Sequence, residues 1–501
     1  MTDQMRADCL SCAGHPVVRT PHLDALAARG VRFPNTFVQS AVCGPSRMCF
    51  YTGRYVHATR SPWNEVPLPA DERTMGHYFS RGGYRAALCG KTHYMPDPFA
   101  LPEGDAGRDR FELATLAGLE EFELNDARGR GWCAFLREQG YADLGNNPFL
   151  IDESTLPDGV DYSAVPARFR AEHSDTAFLT DRAIQFMQET GDRPWFLHLS
   201  YFKPHLPIIA PAPYHAMYDP ADSPAPNRDA SELENPHPLH IPYRIERHGT
   251  DFDQEHVWRQ RRATYYGLIT EIDDNLGRLF AWMRSHGQWD NTLVVFTSDH
   301  GEYMGDHWMY EKELFYDEAY RVPLLVVDPR PEADPTRGTV QDAFVECIDV
   351  VPTFLEAAGL PLAPAIQGRS LLPWVRGEPP AAWRTEVYAD WDFRFYWTPK
   401  HLGLGPEQCR AWMVRDHDFK FWHFNGGLPD VLFDLRQDPK ERKNVAADPK
   451  YQGAVQRSLL KLIDWRMSNE DISRVAWTYE RRPGFGPNPF PDPPKSEART
   501  S

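Results

Sequence analysis

No stretch of the chain approaches the ~18–20 consecutive apolar residues of a membrane-spanning helix, and the N-terminal MTDQMRADCLSCAGHP has no basic segment followed by an apolar one. A soluble, cytoplasmic protein without a membrane partner is expected. Cysteine is scarce: the eight residues at 9, 12, 43, 49, 89, 133, 347 and 409, spread over 501 positions, cannot form a disulfide scaffold. Cys9 and Cys12 make a C-x-x-C, yet no second pair of cysteines or histidines completes a zinc site. Structural thiols are the expectation there, with a redox or zinc-binding role as the alternative. Positive charge is also short, with 54 Lys and Arg against 71 Asp and Glu for a net charge of −17. That balance argues against nucleic acid as a partner, and a small anion would need a local positive site.

What is present is an ordinary packed-protein composition, 42% hydrophobic and 25% charged, which excludes a disordered or fibrous chain. Proline clusters in Pro204–Pro242, Pro329–Pro335, Pro361–Pro380 and the terminal GFGPNPFPDPPKSE, which read as surface loops and a tail. Between them Thr264–His286 sets Tyr265, Leu268, Ile269, Ile272, Leu276, Leu279, Phe280 and Met283 on one helical face. Thr20–Arg29 and Asp349–Ala358 are further predicted helices. The apolar runs Asn291–Ser298, Trp195–Ser200 and Val322–Val327 read as buried parallel strands of an α/β sheet. After Gly368 the texture changes to short aromatic strand-like pieces followed by a helix over Tyr451–Met467. The expected architecture is α/β: a large mixed, mostly parallel sheet flanked by helices over 1–375, then a C-terminal subdomain over 376–501 with a small antiparallel sheet, a helix and the Pro-rich tail.

Chemistry enters at the strand ends. Asn291–Ser298 runs into Asp299-His300-Gly301-Glu302, where an acid and an imidazole can share one divalent metal, although a helix-capping Asp beside a packed His explains the pair equally well. The segment Val42-Cys43-Gly44-Pro45-Ser46-Arg47 continuing to Thr52-Gly53-Arg54 puts a thiol at a Gly-Pro turn opening a helix, with guanidinium groups nearby to form an oxyanion site.

C-x-P-S-R followed by T-G-R resembles the signature of the sulfatases, formylglycine-dependent members of the alkaline phosphatase superfamily, in which this cysteine is oxidised after translation. The resemblance extends over nearly the whole chain. It implies Cys43 as the formylglycine precursor, modified by a formylglycine-generating enzyme, and Arg47 beside it. Gly90-Lys91-Thr92-His93 is similar to the family's G-K-x-H, Pro204-His205-Leu206-Pro207 to its P-H-x-P, and Lys312 to its second lysine, so Lys91, His93, His205 and Lys312 are implied catalytic groups. Thr2-Asp3-Gln4 looks like the family's first metal-binding turn, so Asp3, Gln4, Asp299 and His300 are the implied ligands. Asn64 sits where related phosphonate monoester hydrolases contact substrate. Lys203 is assigned no role and His307 a structural one.

The resemblance further implies hydrolysis of sulfate monoesters at a hydrated aldehyde, with activity toward phosphonate monoesters and phosphodiesters. The Lys91/His93 pair favours sulfate, since the phosphonate branch tends to carry Tyr and Thr there. His300 as a nitrogen ligand makes Mn²⁺ a candidate beside Ca²⁺. Homo-oligomers, dimers or tetramers, are implied through terminal extensions such as Pro483–Ser501. One departure stands out: the family places an apolar first strand before the T-D-Q, whereas only Met1 and Thr2 precede Asp3. A gap in the sheet and a loosely held Asp3 are expected from this, with an inactive anion-binding relative as the alternative reading.

Overall fold

The computed structural model describes residues 1–126, 129–141, 151, 156–157 and 159–470. Along the chain the strands are β1 (Val31–Arg32), β2 (Thr36–Phe37), β3 (Arg85–Gly90), β4 (Glu120–Leu124), β5 (Trp195–Ser200), β6 (Val294–Thr297), β7 (Leu324–Val327), β8 (Thr339–Val340), β9 (Val345–Glu346), β10 (Val387–Asp392), β11 (Arg410–Arg415), β12 (Phe419–Phe424) and β13 (Val431–Asp434). β3 is flanked by β4 and β5, both parallel to it. A second sheet runs in the order β6-β7-β1-β8, and β2 pairs in parallel with β9. The C-terminal sheet, β10 to β13 in order, is antiparallel throughout. The expected α/β architecture and C-terminal antiparallel sheet are therefore both present.

Two local expectations need correction. Asn291–Ser298 does supply a strand, but β6 pairs antiparallel with β7, and β7 antiparallel with β1. An apolar β-branched run reports depth in a sheet; the direction of its neighbour is set by the connection between them. The helix predicted from Thr264 begins at Glu255 and runs to Ser285. Its period continues back through buried Val257, Trp258 and Arg261, and the charge of Arg261 and Arg262 hid it. This helix packs on the Asp175–Thr190 and Pro21–Arg29 helices, which lie against β3, β5 and β7.

The three-stranded β4-β3-β5 sheet and the four-stranded β6-β7-β1-β8 sheet meet through Met1–Asp3, which lie between β5 and β6. Tyr201 N donates to Met1 O at 3.0 Å, Thr2 N to Thr297 O at 2.9 Å and Asp299 N to Thr2 O at 3.2 Å. Along the rest of their length, the facing edges of β5 and β6 have no ladder partner among the described residues, and Trp195, Phe196, Leu197, Val294 and Val295 stay half-buried. The expected gap is there. A loosely held Asp3 is not, because the residue is fully buried among charged partners. One apolar core joins Phe37 and Leu324 of the larger part to Trp391, Met413 and Leu432 of the antiparallel sheet, with Tyr316 edge-on to Trp422 at 4.8 Å. The tail Pro483–Ser501 and part of the Pro96–Pro166 region lie outside the described residues.

Candidate active site

Extended Val42 (φ −86°, ψ 131°) leads into a helix over Cys43–Thr52 whose every residue is buried. Pro45 sits in its first turn, where the missing N–H leaves no intrahelical bond unmade. Around this helix start converge segments that leave strand ends: Lys91 follows β3, His205 follows β5, and Asp299, His300 and Lys312 lie on the connection after β6, while Asp3 and Gln4 follow the joint between the sheets. This is where α/β sheets gather ligand-binding residues.

Cys43 Sγ lies 3.1 Å from His300 Nε2 and 4.0 Å from Asp3 Oδ1, and accepts from Lys312 Nζ at 3.4 Å. His300 gives its Nδ1–H to the Gly301 carbonyl at 2.9 Å, which turns Nε2 toward the sulfur. Arg47 binds Asp299 through Nε at 2.8 Å and Asp3 through Nη2 at 3.2 Å, and its Nη1 donates to Lys91 O and Ser200 Oγ, both at 2.9 Å. Lys91 Nζ is 2.5 Å from Asp3 Oδ2. Lys312 Nζ also donates to Gln4 Oε1 at 2.9 Å and stands 3.3 Å from His205 Nε2, while His205 Nδ1 donates to Leu206 O at 2.7 Å. Asn64 Oδ1 accepts from Gly44 N at 2.7 Å.

These charges tune one another. Burial opposes ionisation of Cys43, but Lys312, His300 and Lys91 outweigh it and hold the thiol well below its usual range. Burial likewise opposes charge on Asp3, and Lys91, His205 and Arg47 overcome it, so the carboxylate stays ionised. Burial and then Lys312 lower the His205 imidazole. On His300 burial acts against the charged form, but Asp299 and Cys43 prevail and raise it. The result is a buried cluster of alternating signs.

Asp3, Cys43, Asp299 and His300 each present one donor atom, all within 4.8 Å of one another and all buried. Two carboxylates and an imidazole, with its second nitrogen fixed by a carbonyl, suit a hard divalent cation. Gln4 is in the left-handed region at φ 67°, and its Oε1 is engaged by Lys312.

His93 is the predicted residue that hydrogen bonds do not bring into the cluster. It too is left-handed, at φ 54°; its backbone N donates to Asp126 Oδ1 at 3.1 Å, and its buried Nδ1 has no hydrogen-bond partner among the described residues.

Sequence reading missed several supports. Ser46 Oγ donates to Asp299 O at 2.5 Å, and Glu302, its carboxyl pushed by burial up to about 7, accepts from the Gln4 amide. Lys203, left without a role, is buried against Asp175 at 3.0 Å and Glu271 at 2.9 Å. Glu302 was readable as the last residue of D-H-G-E; the Lys203 partners come from distant helices and leave no local signal.

The sulfatase family profile matches residues 1–360, and that of the N-sulphoglucosamine sulphohydrolase C-terminal region matches 305–468. The multifunctional alkaline phosphatase superfamily protein PehA of Trinickia caryophylli is 37% identical, covering 94% of this chain and 95% of its own length. An arylsulfatase of Clostridium perfringens is 27% identical over 93% and 94% of the two chains. The solved phosphonate monoester hydrolase of Agrobacterium radiobacter superposes with a TM-score of 0.88 at 34% identity, covering 95% of this chain and 96% of that one. On this match over most of its length, the protein is a hydrolase of the sulfatase family, in the alkaline phosphatase superfamily.

Proposed function

We propose that the protein hydrolyses sulfate monoesters, accepts phosphonate monoesters and phosphodiesters at the same site, and uses a formylglycine that a formylglycine-generating enzyme makes from Cys43. The observation that carries this reading is Cys43 Sγ buried at a helix start within 3.4 Å of both His300 and Lys312. The substrates share an anionic tetrahedral centre, so the site's first task is to neutralise charge and hold that centre in line. A divalent cation, Ca²⁺ or Mn²⁺, held by Asp3, Asp299, His300 and Gln4, would add positive charge and Lewis acidity when bound.

The chain's own groups do the rest. Arg47 holds Asp3 and Asp299 aligned, with both of its bonds to them at or below 3.2 Å. Lys91, neutralising Asp3 from the other side, and Lys312 place two ammonium groups around position 43. His205 has its Nδ1 proton on the Leu206 carbonyl, so its Nε2 lone pair faces Lys312 Nζ. The proton between these two nitrogens is the one within reach of a departing alkoxide or phenoxide. Asn64, anchored on Gly44 N, borders the same position.

A second reading, preference for phosphonate monoesters, is supported by the likeness to PehA and the Agrobacterium enzyme. It gains from His93 standing outside the hydrogen-bonded cluster, since His93 was half of the pair favouring sulfate. Mass spectrometry of the Cys43 peptide, from protein produced with the modifying enzyme, combined with turnover of an aryl sulfate and an aryl phosphonate, tests both readings. An aldehyde at position 43 with faster sulfate turnover is expected; faster phosphonate turnover selects the second reading, and an aldehyde without turnover of either ester rejects both.

A further inference from the structure

An aromatic cluster is anchored on the segments next to Cys43 and Lys312, and the chemistry above makes no use of it. Trp63 precedes Asn64, whose Oδ1 accepts from Gly44 N. The contact is close enough that a Cβ on Gly44 would meet Asn64 Cα at 2.9 Å and the Trp63 carbonyl at 3.1 Å. The Trp63 ring is stacked on Phe395 (5.2 Å, 14°) and edge-on to Tyr396 (4.8 Å, 87°). Tyr396 in turn donates its hydroxyl to the Glu313 carboxylate and accepts from Arg247 Nη2 at 2.8 Å. Glu313 follows Lys312, whose Nζ is 3.4 Å from Cys43 Sγ. The wall is thus tied through the Trp63 backbone to Gly44 and through the Tyr396 hydroxyl to Glu313, the neighbour of Lys312.

Its exposure and charge indicate what it faces. Phe395 is 47% exposed although stacked on Trp63, and Trp63 and Tyr396 are half-buried. Aromatic surface left open beside a polar reaction centre gains most by covering a flat apolar group. The nearby cations are already committed, Arg247 to Glu311 and Glu313 and Arg394 to Asp392. These two guanidinium groups are thereby withheld from an anionic alcohol portion, such as a further sulfated sugar.

We infer that Trp63, Phe395 and Tyr396 form the leaving-group subsite and that the preferred esters are those of fused two-ring aromatic alcohols. The inference rests on the reading of Cys43 as the reacting centre. Phe395 follows β10, so the C-terminal sheet sets specificity for chemistry carried out by the larger α/β part.

The test compares kcat/KM for 4-methylumbelliferyl sulfate and 4-nitrophenyl sulfate, whose leaving groups differ in ring number, in the native protein, F395A and F395Y. The native protein is expected to favour the two-ring ester. The two-ring to one-ring ratio should fall about three- to tenfold in F395A and return in F395Y, the size of one lost aromatic contact. Calorimetric binding of 2-naphthyl sulfate to protein made without the modifying enzyme supplies a readout that needs no turnover, and its Kd should rise by a similar factor in F395A. A ratio unchanged by F395A, or a native preference for the one-ring ester, overturns the subsite and leaves the hydrolase reading standing. Absent turnover with binding that still depends on Phe395 rejects Cys43 as the reacting centre and overturns the leaving-group assignment, leaving an aromatic binding site. Absent turnover with binding indifferent to Phe395 overturns both.

Discussion

Arg47 has no exposed side-chain surface and holds two buried carboxylates, Asp299 at 2.8 Å and Asp3 at 3.2 Å. Its guanidinium is raised well above its ordinary range: burial opposes the charge, and Asp299 with Asp3 outweighs burial. Arg47→Met strips buried Asp299 of its guanidinium partner and leaves buried Asp3 to Lys91, so a loss of about 3–5 kcal/mol in urea unfolding is expected in the presence of chelator, together with loss of turnover. A loss below about 1 kcal/mol would mean that Lys91 alone compensates the acids. His307 makes the matching case for pH. It is buried, stacked on Tyr316 at 3.8 Å, with Glu232 2.6 Å from Nδ1 and Glu318 3.4 Å from Nε2. Burial works against its charge, yet Glu318 and Glu232 prevail and raise it to about 10. A folded value above the unfolded one, about 6.5, gives stability that is complete below about pH 6.5 and lost as pH rises toward 10. The stability gap between the native protein and His307→Gln should therefore be about 3 kcal/mol at pH 6 and shrink steadily to pH 10. A gap that widens with pH would show the ring to be neutral in the folded state.

At the scale of elements, Lys203 ties the loop after β5 to the Asp175–Thr190 helix through Asp175 and to the Glu255–Ser285 helix through Glu271, at 3.0 and 2.9 Å. The same loop carries His205, and its Lys203 carbonyl accepts from Asp3 N at 3.4 Å. Lys203→Met is expected to cost about 3–5 kcal/mol in urea unfolding, because it strands two buried acids, and Lys203→Met/Glu271→Leu should recover part of that by removing one of them. Equal stability of the single and double variants would refute the coupling. This tie also marks where sequence reading ended. Cys43, Arg47, Lys91, His205 and Lys312 were legible because each lies in a short motif whose residue order survives without the fold. Lys203 has its partners on two distant helices, and nothing within its own motif announces them. His93 was legible as a residue and not as a direction, since a left-handed backbone at φ 54° two positions after Lys91 turns the chain. The antiparallel course of β6 against β7 was hidden for a related reason: periodicity and apolar content describe one strand, while pairing direction belongs to two.

The whole molecule is divided along the line between β5 and β6, where, among the described residues, backbone pairing is confined to Met1–Asp3 with the ends of the two strands and the residues just after them. The four candidate cation donors straddle this line: Asp3 lies on the joint, Cys43 starts a helix, and Asp299 and His300 follow β6. A cation bound there would pin the joint to the β6 side and to the helix at once, and it would relieve the repulsion of two buried carboxylates. Ligand binding to the folded state alone stabilises by RT ln(1 + [L]/Kd), about 2.7 kcal/mol at a hundredfold excess over Kd. The unfolding midpoint of chelator-treated protein should therefore rise with Ca²⁺ or Mn²⁺ concentration, continuing logarithmically above Kd, and the ion whose rise begins at the lower concentration is the preferred one. Asp299→Asn removes one anionic donor and should flatten that dependence in both titrations. Amide hydrogen exchange separates this from nonspecific ion binding, since protection should increase at Asp3, Tyr201 and Asp299, the donors across the joint, ahead of the C-terminal sheet. Uniform stabilisation of the native protein and Asp299→Asn would place the cation elsewhere and leave Arg47 and Lys91 as the groups that hold the two sheets together.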